Sequence, residues 1–312
     1  MKEHKGANAF HSEHHTVVTI GTFDGVHVGH QKIIERLVNT AKASNLESAI
    51  LTFFPHPRMV LQKDSSIKLI NTIKERKEIL EKTGVDHLII HPFTQQFSRL
   101  SAREFVRDIL VNKLRAKKVI IGYDHRFGRN RTADINDLRK FGIEYGFDVE
   151  EISEQDIEEV AVSSTKIRNA LLEGKVELAN RYLSYPFALA GTVVRGKGLG
   201  KELLYPTANL HIEEEYKLIP KNGVYVVRTQ IEEVTVFGMM NIGTNPTVGG
   251  TEKTIETHFF DLEMDLYGRY LSIEMLTRIR DEKKFDSIEG LKIAMKQDEA
   301  FSRQYILDNY AE

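Results

Sequence analysis

The chain has 312 residues, of which 41% are hydrophobic and 28% charged, an ordinary balance for a soluble globular protein and enough for two cores. Its formal net charge of -2 sets up no global field that draws it to nucleic acid or anionic lipid, although a local phosphate site needs only a few donors. The absence of cysteine excludes disulfides, thiolate catalysis and cysteine-ligated zinc or iron–sulfur centres, and fits a reducing compartment.

No apolar run approaches the roughly 18 residues needed to span a bilayer. The leader Met1–His15 is polar and lacks a signal-peptide core, so a cytoplasmic location is expected. That leader carries His4, His11, His14 and His15 and is expected to be frayed rather than a metal site. Beyond it, strand-like and helix-like segments alternate. Thr16–Ile20 reads as a strand, Lys32–Ser44 as a helix, Ser48–Phe54 as a strand stopped by Pro55 and Pro57, and Thr72–Thr83 as a charged amphipathic helix ended by Gly84. Val85–Ile90 reads as a strand. Ser101–Leu114 reads as a helix whose Ser101 and Glu104 form a capping box. Val119–Ile121 is a further strand, Ile135–Phe141 a helix stopped by Gly142, and Tyr145–Val149 another strand. This alternation predicts a parallel sheet covered on both faces.

The grammar changes near Ser184. Leu171–Leu183 is still helical apart from Gly174. Then Phe187–Val194, Tyr225–Ile231, Val234–Ile242, Thr254–Phe260 and Tyr270–Ile279 read as successive strands, followed by one helix over Ile288–Asp308. The pattern predicts two domains, 1–184 and 185–312, the second a mostly antiparallel barrel or sandwich with a C-terminal helix.

Between the first strand and helix stands Gly21-Thr22-Phe23-Asp24-Gly25-Val26-His27-Val28-Gly29-His30. Open α/β sheets bind ligands at this end of a strand, and the following helix offers free N–H groups to phosphate. Gly21, Gly25 and Gly29 permit close backbone approach or positive φ. His27 and His30 are three apart, so they point to similar sides of a first helical turn and can donate to phosphate oxygens as charge builds. Taken alone, such a pair also suits a polar helix face, a cap or a metal site. The string lacks the Gly-Lys-Ser/Thr ending of a Walker A loop and is not a Gly-x-Gly-x-x-Gly fingerprint.

This string resembles the signature of HIGH-type nucleotidyltransferases, in the form found in bacterial bifunctional riboflavin kinase/FAD synthetases. The resemblance implies a Rossmann-like adenylyltransferase domain in which His27 and His30 bind ATP phosphates and stabilise the transition state, with Gly21, Phe23, Asp24, Gly25 and Gly29 around the nucleotide. Gly122-Tyr123-Asp124-His125-Arg126-Phe127-Gly128-Arg129 reads as a polar loop at the same sheet edge. It is similar to a family stretch that helps form the nucleotide and flavin sites, which implicates Asp124, Phe127 and Arg129. Ala133 stands where the family usually has glycine. Val162-Ser163-Ser164-Thr165-Lys166-Ile167-Arg168 opens a helix that Ser163 or Ser164 can cap. The corresponding family motif implies that Ser164 and Thr165 lie beside the ATP phosphates, with Arg168 a contact. His56 and Arg58 occupy a stiff, proline-flanked segment similar to one near the family's flavin end.

In the second half, Arg195-Gly196-Lys197-Gly198-Leu199-Gly200-Lys201 alternates glycines with cations, which suits either a polyphosphate wrap or a hairpin loop. Thr207 and Asn209 alternate on an extended segment, so a hydroxyl and an amide oxygen share one side and can complete an Mg²⁺ shell. Pro206-Thr207-Ala208-Asn209 resembles the characteristic string of riboflavin kinases. The strings Pro220–Tyr225, Asn241–Thr247 and Glu256–His258 match further family segments, so the resemblance covers nearly the whole chain. It implies a riboflavin-kinase barrel in which Thr207 and Asn209 bind Mg²⁺ and nucleotide phosphates, Gly196, Lys197, Gly198, Gly200 and Lys201 cover phosphates, Asn241 joins the site, and Glu256 is the general base. Lys201 and Leu204 depart from the family's arginine and glycine.

The implied activity is phosphorylation of riboflavin to FMN with ATP, then adenylylation of FMN to FAD with release of pyrophosphate. Mg²⁺ and ATP are the expected cofactor and co-substrate, and riboflavin and FMN the small-molecule partners. No nucleic-acid, membrane or obligate protein partner is expected. The alternatives are an adenylyltransferase with an impaired kinase half, motivated by Lys201 and Leu204, and a non-catalytic flavin or nucleotide binder.

Overall fold

The computed structural model describes residues 1–61, 67–123, 125–153, 162–196, 205–244 and 253–310. The chain divides into two compact units, Met1–Ser164 and Thr165–Glu312. The first unit is built on six strands: β1 (Lys2–His4), β2 (Thr16–Ile20), β3 (Glu47–Phe54), β4 (His87–Pro92), β5 (Ala116–Gly122) and β6 (Asp148–Ile152). Their order is β1-β4-β3-β2-β5-β6, and every neighbouring pair is parallel.

The period-2 alternation of the strands sends side chains to two separate cores. Val18, Ile20, Ala49, Leu51, Val119 and Ile121 pack on one face against α4 (Ala102–Glu104) as it continues in a π-helix over Phe105–Val111, and against Leu138 of α5 (Ile135–Tyr145). On the other face Val17, Ile50 and Ile120 meet Ile34, Leu37, Val38 and Ala41 of α1 (Val28–Ala43) and Leu80 of α3 (Ile73–Glu81), while the short α2 (Pro57–Leu61) buries no residue. From β2 the chain builds outward through β3 and β4, then lays β5 on the other side of β2. The carboxyl ends of β2 and β5 therefore flank a topological switch point, where open α/β sheets bind their ligands.

Three expectations for this unit need correction. The leader is not frayed: β1 pairs with β4 from Lys2 to His4, a 3-10 turn follows at Ala7–Ala9, and Ala7 and Phe10 are buried in the first core. α5 does not stop at Gly142. It runs on to Tyr145 and ends at Gly146, whose φ of 75° is the left-handed cap that glycine supplies. Gly142 is there for packing, since a Cβ would lie 2.6 Å from the Phe147 carbonyl oxygen. The sixth strand accordingly begins at Asp148 and not at Tyr145.

The second unit opens with α6 (Ser164–Leu172), which starts at the boundary residue, and α7 (Val176–Leu183), so the expected helix over 171–183 is broken around Gly174. Six strands follow: β7 (Ala188–Val194), β8 (Ala208–His211), β9 (Gly223–Ile231), β10 (Val234–Thr244), β11 (Lys253–Phe259) and β12 (Tyr270–Arg280). They close a barrel in the order β10-β11-β8-β7-β12-β9, with all neighbours antiparallel. The terminal helix α8 (Ile288–Tyr310) brings Met295 and Ile306 against Val224, Met239 and Phe260 on the barrel's outer wall. A bidentate pair between Arg280 and Asp298, with N–O distances of 2.8 and 2.7 Å, fastens it to β12.

Candidate active sites

At the switch point, Gly21–His27 links β2 to α1. Thr22 and Gly21 are tied to β3, through Thr52 Oγ1 donating to the Thr22 carbonyl (3.2 Å) and Gly21 N–H donating to that of Leu51 (3.1 Å). The turn then folds through three left-handed residues, Phe23 (φ 48°), Gly25 (87°) and Val26 (36°). Such φ values are costly for a β-branched valine and persist only where the surroundings over-determine them. Here Phe23 and Val26 are buried in the α1 core, and Gln31 Nε2 donates to the Val26 carbonyl at 2.8 Å. Asp24 is buried too. Its Oδ1 accepts the Ile70 and Asn71 amides at 3.0 and 3.3 Å and lies 3.7 Å from the buried Arg76 Nη2. This carboxylate is therefore spent on holding the turn against 70–76.

The turn delivers two stacked imidazoles. His27 caps α1, its Nδ1 accepting the His30 amide at 3.4 Å, which leaves the proton of the neutral ring on Nε2. The rings of His27 and His30 lie 3.7 Å apart and 15° from parallel, and Phe23 meets His30 edge-on at 5.1 Å. His30 Nδ1 is buried with no hydrogen-bond partner. Burial first, then the His27 and Arg76 charges, hold the His30 imidazole well below its ordinary range. Gly29, one residue before it, is buried in the first turn of α1.

Ser164 joins the same turn: its hydroxyl donates to the Asp24 carbonyl at 2.8 Å. Thr165 and Arg168, farther along α6, belong to the second unit. Near the end of β5, Phe127 and Ala133 pair through reciprocal backbone hydrogen bonds of 3.1 and 3.2 Å, and both are buried in the core beside Phe105. Arg129 and Arg131 are exposed, and Arg126 lies 3.8 Å from Asp134. His56 is buried and accepts the Arg58 amide at 3.2 Å. Asp124 lies outside the described residues.

On the barrel, the strand register assembles the other set. Glu256 of β11 stands directly opposite Asn209 of β8 on one side and Asn241 of β10 on the other. Residues opposed across strands share a face, so a carboxylate lies between two amides. All three are half-buried, on the face opposite to the buried Ile255 and Thr257. Thr207 Oγ1 reaches Glu256 Oε2 at 3.4 Å. Gly196 lies under the Asn209 amide, where a Cβ would overlap it. Lys197, Gly198, Gly200, Lys201 and Leu204 fall outside the described residues. Among the described residues no group of three or more His, Cys, Asp or Glu is assembled to hold a metal ion. The oxygens of Thr207, Asn209 and Glu256 are nevertheless all hard donors, which suits Mg²⁺ sharing its shell with phosphates and water.

Sequence reasoning missed Arg76, hidden in a helix that reads as charged and solvated; the Thr72–Glu75 capping box was its one visible sign of engagement. It also missed Glu299 and Arg303, which reach Tyr205 from the C-terminal helix through the Tyr205–Glu299 hydrogen bond.

Two family models match the chain: FAD synthetase over residues 9–166 and riboflavin kinase over 183–306. The bifunctional riboflavin kinase/FMN adenylyltransferase of Escherichia coli (strain K12) is 37% identical over 290 residues, covering 93% of this chain and 92% of that protein. The protein of the same description from Listeria monocytogenes is 36% identical, with the same coverage. A crystal structure described as a macrolide-efflux protein from Streptococcus pneumoniae superimposes with a TM-score of 0.87 at 31% identity, over 99% of both chains. No helix among the described residues of the present chain is long and apolar enough to cross a membrane.

Proposed function

The chain belongs to the bacterial bifunctional riboflavin kinase/FAD synthetase family, and from that premise we propose how its residues divide the two reactions. It phosphorylates riboflavin to FMN and adenylylates FMN to FAD. The observation that carries the division is that the two residue sets fall in separate compact units, His27 and His30 in one, Thr207, Asn209, Asn241 and Glu256 in the other. We assign adenylylation to residues 1–184 and phosphorylation to 185–312, a division supported by the segments the two family models match. The absence of cysteine supports a cytoplasmic site of action.

In adenylylation, a phosphate oxygen of FMN attacks the α-phosphorus of ATP and pyrophosphate leaves. The nucleophile is already an anion, so no protein base is needed. His27 donates from Nε2, and His30, stacked on it, is the second imidazole assigned to the phosphates. Gly21, Gly25 and Gly29 let the polyphosphate approach the backbone, while Phe23 and Asp24 hold the turn. Ser164 supports the turn through the Asp24 carbonyl, and Asp124, Phe127 and Arg129 are assigned to the loop that follows β5. In phosphorylation, the 5'-hydroxyl of riboflavin attacks the γ-phosphorus and ADP leaves. Glu256 orients the hydroxyl and takes its proton late, since phosphoryl transfer depends mainly on positioning and charge stabilisation. Bound Mg²⁺ would neutralise phosphate charge, with Thr207 and Asn209 holding it. Gly196, Lys197, Gly198, Gly200 and Lys201 cover the phosphates, and Asn241 flanks Glu256.

Purified variants given riboflavin or FMN with ATP and Mg²⁺ test this. Glu256→Gln is expected to lower FMN formation about 100-fold or more and leave FAD formation from FMN intact; His30→Asn should do the reverse. An unchanged rate in either variant would remove that residue from the assignment.

A further inference from the structure

Thr207 lies just outside β8, which spans only Ala208–His211 and meets β11 in two residue pairs, Glu256 with Asn209 and Thr257 with Ala208. Pro206 before it has no N–H to pair. The backbone ladder alone therefore leaves Thr207 loosely held, yet its hydroxyl is the one that reaches Glu256.

A separate set of side chains converges on the two residues preceding it. Tyr205 donates its phenol to Glu299 Oε2 of α8 at 2.9 Å. Arg303, one turn farther along α8, donates from Nε to Glu299 Oε1 at 2.9 Å, and its terminal nitrogens grip Asp261 at 2.8 and 3.0 Å. Its guanidinium also lies 4.8 Å from the Phe260 ring centre. Arg303 is thus fixed by two carboxylates and a ring, and fixes Glu299 in turn. From the other side, His258 Nδ1 donates to the Pro206 carbonyl at 2.9 Å, and its ring meets the Tyr205 ring edge-on at 5.0 Å. His258 is two residues from Glu256 on the same face of β11. Burial pushes the Glu299 carboxyl up, but hydrogen bonds from Arg303 and Tyr205 and the nearby positive charge outweigh it and hold the group below the usual carboxylate range. The Tyr205 bond is therefore charge-assisted at neutral pH.

We propose that Tyr205, His258 and Glu299 are positioning residues for riboflavin phosphorylation, which pin Tyr205-Pro206 from two sides and so keep Thr207 and Asn209 in place beside Glu256. The proposal rests on the assignment of Thr207, Asn209 and Glu256 to the phosphorylation site. It makes the C-terminal helix part of that site's support, at a distance from the reacting atoms.

The test uses the full chain and reads both reactions in one preparation. Tyr205→Phe removes a single hydroxyl; Glu299→Gln removes the charge that accepts it. Each is expected to lower kcat for riboflavin phosphorylation about tenfold and raise the Mg²⁺ concentration for half-maximal rate several-fold. The riboflavin KM should stay within about twofold, and FAD formation from FMN should be unchanged. Thr207→Ala serves as the reference. If Thr207→Ala abolishes phosphorylation while Tyr205→Phe and Glu299→Gln remain within twofold of the parent, the positioning role is wrong. If Thr207→Ala itself is fully active, the underlying site assignment is wrong. A parallel loss of both reactions in Tyr205→Phe would mark a general structural role and overturn the proposal.

Discussion

At the level of single residues, His30 carries the sharpest physical signature. Burial is the largest cause of its lowered basicity, followed by the charges of His27 and Arg76. An unfolded histidine titrates near 6.5 and binds a proton that the folded one refuses. Below that pH the unfolded chain holds more protons, so the stability contributed by a neutral His30 is complete above about pH 7.5 and lost as pH falls through 6.5. Urea denaturation of the ligand-free protein at pH 7.5 and 5.5 should show wild type losing about 1 kcal/mol more than His30→Asn over that interval. An equal loss in both proteins would mean that His30 titrates normally. Ala133 raises a different question, because the family usually has glycine there. Its φ is not left-handed, and its methyl is buried beside Phe127. Restoring glycine would delete a packed methyl and loosen the unfolded chain. Ala133→Gly is therefore expected to cost about 1 kcal/mol in urea denaturation and to leave the FAD-forming rate unchanged.

At the level of elements, what could be read from the sequence follows how each element earns its place. The strands β2, β3, β5, β9, β10 and β12 carry dense β-branched and apolar runs, and their existence was legible because burial on the sheet or barrel demands that pattern. The capping boxes at Thr72 and Ser101 were equally local: each is closed within four residues, and Ser101 was read as one directly. β1 was not legible, since Lys2-Glu3-His4 has no apolar periodicity and exists by pairing with the edge of β4. The chain beyond it is anchored by Ala7 and Phe10, with Phe10 edge-on to His4 and His87 at 5.0 and 5.1 Å. Phe10→Ala should thus cost about 3 kcal/mol in denaturant, as a buried aromatic does, where a frayed leader would cost nothing. The candidate residues divide similarly. Thr207 and Asn209 stood out by type and spacing and Glu256 through the family resemblance, but that Asn241 is Glu256's neighbour on the other side depends on barrel register, which no local string encodes. Nor could the sequence reveal that Asp24 turns inward to Ile70, Asn71 and Arg76, since that contact joins segments 46 or more residues apart.

At the level of the whole molecule, the consequence of two units is that the intermediate has a choice of route. Each unit has its own core, and each proposed set of reacting groups needs ATP and one flavin. FMN made by the barrel unit must reach the parallel-sheet unit, either after release or without leaving the protein. Nothing in the chemistry of either step requires direct transfer: FMN is a stable, soluble phosphate monoester, and neither proposed reaction needs a covalent enzyme intermediate. Release into solution is therefore expected, and two inactive variants can reveal it. Alone, His30→Asn should convert riboflavin to FMN and stop, and Glu256→Gln should leave riboflavin nearly untouched. Mixed in equal amounts, they should make FAD from riboflavin after a lag, because FMN must accumulate toward its working concentration at the second site. Added FMN should abolish that lag. If the mixture accumulates FMN without FAD while Glu256→Gln alone still adenylylates added FMN at that concentration, free diffusion is not the route. Transfer would then depend on both functional sites residing in one chain.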